Sequence, residues 1–146
     1  MDFQVRISAP ALRDFEQIIE YSRASFPESA ERFGGAILNH LELLSLADKV
    51  TREALPDLDR LVRRGARRLR PGPVEVFVAR GNELNAYTFG LSTPKALVLY
   101  SGLLPLMEED ELLFILGHEM GHVALGHTWL NSLVGGMAGI PASWSA

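Results

Sequence analysis

The chain has no cysteine among its 146 residues. That absence removes disulfides, thiolate metal ligands and cysteine nucleophiles together, so any metal must be held by nitrogen and oxygen. Excess charge is also scarce: 14 Lys and Arg against 18 Asp and Glu leave a formal charge of −4. So mild a balance makes neither nucleic acid nor an anionic membrane an expected partner. Met1 to Ile7 has neither the basic run nor the apolar run that opens a secretory signal, which leaves the cytoplasm as the expectation. The longest uncharged stretch, Val123 to Ala146, is broken by His127, Thr128, Asn131, Ser132 and Pro141. Its apolar part falls short of the ~20 residues that span a bilayer, so no membrane segment is expected.

What is present suits one folded domain, with 47% of the residues apolar. Ala11 to Arg23 carries Leu12, Phe15, Ile18 and Ile19 on one helical face. Ser25-Phe26-Pro27-Glu28 has the spacing of a capping box and predicts a second helix with Phe33, Ile37, Leu41 and Leu44 inward. A third helix is predicted from Pro56 to Leu69, with Leu58, Leu61, Val62 and Leu69 inward, stopped by Pro71-Gly72-Pro73. Its arginines, Arg60, Arg63, Arg64, Arg67, Arg68 and Arg70, read as a solvated face, because no aromatic or glycine-rich binding element accompanies them. Three strands are predicted at Val74–Ala79, Asn85–Phe89 and Ala96–Tyr100, separated by turn residues. The fold class expected is α+β: N-terminal helices, a small three-stranded antiparallel or mixed sheet, then a further helix. An exposed edge of that sheet could take an extended peptide by strand addition.

The further helix, predicted from about Glu109 to Leu130, carries the run His118-Glu119-Met120-Gly121-His122. At about 100° per residue the two histidines lie about 40° apart and can aim two ring nitrogens at one ion. Glu119 falls about 60° beyond His122, where its carboxylate can take a proton from a water that the ion acidifies. This is the HExxH pattern of zinc peptidases. Apolar side chains from Leu112 to Leu130 spread almost all round the helix and predict its burial. Two histidines and a glutamate in a buried helix need a partner, and a metal would satisfy all three; a hydrogen-bonded core cluster is the alternative. While the helix continues, His127 lies about 180° from His118 and cannot join the same ion, so a structural role is expected for it. Gly117, Gly121, Ala124 and Thr128 form a small-residue stripe that would let a neighbouring helix approach.

Asn85-Ala86-Tyr87-Thr88-Phe89-Gly90, Ala96 to Leu104 with its Ser101-Gly102-Leu103-Leu104 end, Asp110-Glu111-Leu112 and His118 to His122 together resemble the HtpX-like and CAAX-prenyl-protease family of gluzincin metallopeptidases. The likeness runs from about residue 50 to the end. It implies a helical N-terminal segment over 1–50 and a zincin-like metallopeptidase domain over 51–146. It further implies a zinc-dependent metalloendopeptidase acting on a peptide or protein, with His118 and His122 as zinc ligands and Glu119 as general base. Asn85, Ala86, Tyr87, Thr88 and Phe89 would line the substrate. The family completes its zinc site with a later glutamate, yet no Asp or Glu follows Glu119 here. The expectation is therefore a domain incomplete at its C-terminus, lacking the third ligand, with Trp129, Leu130, Leu133, Val134 and Ile140 exposed and favouring self-association. A looser resemblance, from Val5-Arg6-Ile7-Ser8 through Leu44, is to toxins of the ParE and RelE type. The alternative function is non-catalytic: an inactive peptidase relative or toxin-like module that binds a peptide or partner.

Overall fold

The computed structural model describes residues 6–90 and 93–128. The apolar segment from Trp129 to Ile140 expected to be exposed, and the end of the last predicted helix at Leu130, lie outside the described residues. Helices α1 (Ala9–Ser25) and α2 (Pro27–Ser45) are followed by strand β1 (Asp48–Lys49), helix α3 (Pro56–Leu69) and strands β2 (Val74–Ala79), β3 (Ala86–Phe89) and β4 (Lys95–Tyr100). A single 3-10 turn, Ser101–Leu103, then leads to helix α4 (Glu109–Ala124). This is the expected α+β class.

Among the described residues the sheet has four strands where three are predicted, in the order β1-β2-β4-β3. The extra strand is two residues long and pairs antiparallel with β2, Asp48 opposite Val78 and Lys49 opposite Phe77. A strand so short has no hydrophobic alternation to betray it. Strands β2 and β4 run parallel, while β3 pairs antiparallel with β4 on the far side. Alternation along the strands divides the apolar side chains between two faces. Val76, Val78, Leu97 and Leu99 join Leu58 and Leu61 of α3 and Leu112, Leu116 and Met120 of α4 in the main core. On the other face Ala79, Val98 and Tyr100 cluster with Leu44 and Ala47 at the end of α2.

Several local expectations give way to tertiary packing. Helix α1 runs through Ser25, so Phe26 rather than Ser25 caps α2, and it makes no side-chain capping bond. No residue of α1 is buried, and Leu12 of its apolar stripe is 44% exposed. Leu69 of α3 is 41% exposed, although its Cδ1 still lies against Gly117 of α4. Helix α4 is buried on one face only: Leu112, Leu116, Glu119, Met120 and Val123 are inside, whereas Phe114 is 75% exposed. Close approach of α3 and α4 comes through Gly65, where an added Cβ would lie 3.0 Å from Met120 Sδ. Of the stripe expected to serve that purpose, Gly117 does face α3, an added Cβ lying 3.9 Å from Leu69 Cδ1, whereas Gly121 has nothing within 4 Å.

Helix α4 is anchored at its start. Glu108 and Glu111 form a reciprocal capping box, and Glu109, Asp110 and Glu111 place negative charge at the positive end of the helix dipole. Part of the arginine face of α3 meets that charge: Arg60 makes two hydrogen bonds to Glu109, at 2.9 and 2.8 Å, and Arg64 lies 3.7 Å from the same carboxylate. Exposed pairs of this kind orient the two helices more than they stabilise them.

Between β4 and α4 the chain folds back on the turn after β2. Gly102 donates to the Gly81 carbonyl at 2.8 Å, and Ser101 Oγ also contacts Gly81. An added Cβ at Gly102 would sit 2.8 Å from main-chain atoms of Asn82, which cannot swing aside as a side chain could. Gly102→Ala is therefore expected to destabilise the fold by about 1–3 kcal/mol, the usual cost of overpacking. Chemical denaturation checks this, and an unchanged midpoint would contradict the close approach.

Candidate metal centre

Metal-ligating chemistry gathers on α4. His118 Nε2 and His122 Nε2 lie 3.2 Å apart. With zinc–nitrogen bonds of about 2.0–2.1 Å, that separation corresponds to an N–metal–N angle of about 100–105°, near the tetrahedral value. The pair therefore fits a single zinc ion. Among the described residues no group of three His, Cys, Asp or Glu forms a site able to hold a metal.

Glu119, on the same turn of α4, faces the protein interior. It is buried, and Thr88 Oγ1 on β3 donates to its Oε2 at 3.3 Å. Burial pushes the Glu119 carboxyl above the ordinary carboxylate range; nearby His118 and hydrogen bonds from the Thr88 side chain and main chain pull part of the way back. His122 is held below its ordinary pKa, first by desolvation and then by the neighbouring His118 and His127. That shift favours the neutral imidazole, the form that ligates metals.

The segment Asn85 to Phe89 divides between the two faces of the sheet. Thr88 faces α4 and Ala86 packs against the main core, whereas Tyr87 and Phe89 stack together at 6.0 Å on the opposite face. Asn85 precedes β3, and its carbonyl accepts from Tyr100 N–H at 3.1 Å. Since Asn85 and Tyr100 form a hydrogen-bonded pair, antiparallel alternation turns the main-chain groups of Ala86 and Thr88 away from β4. Those groups face the side of β3 on which no described strand pairs.

The largest departure concerns His127. Helix α4 ends at Ala124, and Gly126 takes φ +74°. His127 N–H then bonds the His122 carbonyl at 2.9 Å and Gly126 N–H bonds that of Val123 at 3.0 Å, the two bonds of a Schellman motif. The turn carries the His127 ring back over the helix end, leaving its Nδ1 3.2 Å from His122 Nδ1. The sequence signal for this was Gly126 itself, a glycine just past a helix end.

A model of peptidase family M48 matches residues 51–146. The chain belongs to peptidase family M48. It is 34% identical over 115 residues to Protease HtpX of Xylella fastidiosa (strain M12), an alignment covering 72% of this chain and 40% of that protein. Protease HtpX of Xanthomonas axonopodis pv. citri is 43% identical over 77 residues, covering 52% of this chain and 26% of the relative. The CAAX prenyl protease 1 homolog of Dictyostelium discoideum is 43% identical over 49 residues, covering 34% of this chain and 12% of its own length. The chain thus spans less than half the length of each of these curated M48 relatives. Among the described residues no helix is long and apolar enough to cross a membrane.

In the metal-free chain the ionised Glu119 is a cost to the fold. Its folded pKa lies above the unfolded one, so the cost is present above the folded pKa and fades as falling pH protonates both states. Glu119→Gln is expected to raise the melting temperature at about pH 8 with chelator present, the gain vanishing below about pH 4. Equal gains at both pH values would contradict the buried charge.

Proposed function

We propose that this chain carries the catalytic helix of a zinc-dependent metalloendopeptidase, with His118 and His122 as metal ligands and Glu119 as general base. The observation that carries the proposal is the pairing on α4 of two ring nitrogens 3.2 Å apart with a buried carboxylate tied to the neighbouring strand. Membership of family M48 supports it. A zinc ion held there would supply Lewis acidity, lowering the pKa of a water and polarising a scissile carbonyl.

The remaining work falls to the chain's own groups. Thr88 holds the Glu119 carboxylate in place through its hydroxyl, which donates to Oε2, and through its main chain. The raised pKa of the carboxyl makes it a stronger base than an exposed glutamate. A substrate peptide in extended form would add to the open side of β3 through the main chain of Ala86 and the Thr88 carbonyl, which sets it beside Glu119. The partner proposed is thus a peptide or unfolded protein rather than nucleic acid. A second reading rests on the open edge of β3 alone: the same strand edge binds peptides without cutting them.

Zinc content by elemental mass spectrometry and cleavage of casein separate the two. About one zinc per chain, lost in His122→Ala, with cleavage abolished by Glu119→Ala while the zinc is kept, is expected for the peptidase. Cleavage that survives Glu119→Ala would remove the general base. Peptide binding without zinc or cleavage, unaffected by chelator, would establish the second reading.

A further inference from the structure

We propose that His127 is a positioning residue for the metal centre: it accepts a hydrogen bond from His122 Nδ1 and so fixes the tautomer that leaves His122 Nε2 open to a metal. The proposal rests on the assignment of His118 and His122 as ligands.

A neutral imidazole carries one proton on one of its two nitrogens. For both Nε2 atoms to face one ion across 3.2 Å, neither can bear hydrogen, so the proton of His122 must sit on Nδ1. The group that meets it there is His127 Nδ1, at 3.2 Å. His127 must then offer a lone pair at Nδ1 and keep its own proton on Nε2. Partners of this kind are a regular part of histidine metal sites, because they orient the ring and raise its basicity. More often the partner is a carboxylate, a carbonyl or a water; here a second imidazole takes the place.

The chain builds this contact from the way α4 ends. In a Schellman motif the second residue past the cap returns over the third residue from the helix end, and an apolar contact usually fills that junction. Here those two positions are His127 and His122, whose ring centroids lie 5.5 Å apart. Gly126 supplies the left-handed backbone on which the return depends. Thus the helix end that stops α4 also delivers the second imidazole to the outer nitrogen of its last histidine.

Two measurements on this chain test the proposal. Ring-nitrogen NMR of the metal-free protein at about pH 8, where histidine is neutral, reads where the proton of His122 sits. Nδ1 is expected in the wild type, with a shift of the majority to Nε2 in His127→Ala. Zinc affinity, from competition with a chromophoric chelator, is expected to fall about 10- to 100-fold in His127→Ala. His127→Asn, whose amide oxygen restores an acceptor, is expected to recover part of the loss. His127 is exposed, so these changes leave the core intact. A proton on Nε2 of His122 in the wild type, or affinity in His127→Ala within about twofold of wild type, would overturn the proposal. His118→Ala serves as the control: if it leaves zinc binding unchanged, the ligand assignment fails separately, while the proton position still decides the role of His127.

Discussion

A carboxylate survives inside a protein only where something there replaces the water it has lost. In this chain the carboxylate is Glu119 and the replacement is Thr88, buried with it at the join between α4 and β3. The requirement reaches well beyond the two side chains. It fixes which turn of α4 lies against which residue of β3, and therefore which face of the helix is left for His118 and His122. Apolar packing of Leu112, Leu116 and Met120 presses α4 onto the sheet but tolerates small sliding. The hydrogen bond between Thr88 and Glu119 is directional, so it selects one position among those that the apolar contact would allow.

The helix therefore presents unlike surroundings to residues adjacent in sequence. Glu119 sees a low-dielectric interior that makes it more basic, while its neighbour His118 is exposed. One turn of helix thus places a buried proton acceptor next in sequence to an exposed imidazole. No loop or domain interface is required for this division, only the difference in direction between successive side chains of a helix with one buried face.

Much of this is legible in the sequence, and the failures have physical causes. The HExxH spacing gives the juxtaposition of His118 and His122 because helical periodicity alone determines it. Strands β2 and β4 carry runs of β-branched and apolar residues strong enough to mark their position. Other features depend on contacts between distant segments, which no local pattern records. Strand β1 exists because β2 offers it a partner, and Gly65 is needed because Met120 arrives from a helix fifty-odd residues later in the chain. The apolar count overstated the burial of α4, since Phe114 and Leu125 are apolar yet exposed. The role of Thr88 was hidden within a strand legible only as a whole. The direction of the His127 ring departs from that of an ideal helix because Gly126 takes a left-handed backbone, which no helical periodicity anticipates.

The strand order β1-β2-β4-β3 carries a consequence for how the molecule comes into being. The chain lays down the outer strand β3 before β4, which fills the gap between it and β2. Strand β3 touches β2 nowhere in the sheet, so its placement is inherited through two successive registers: antiparallel onto β4, then parallel from β4 onto β2. A slip of one residue in the first would turn Thr88 to the opposite face and leave Glu119 buried beside nothing that could donate to it. The local β3–β4 hairpin can form early, but its correctness is tested only when α4 closes over it. A sheet mispaired in this way would lack the donor that Glu119 needs, a penalty that hydrophobic contact alone would not impose.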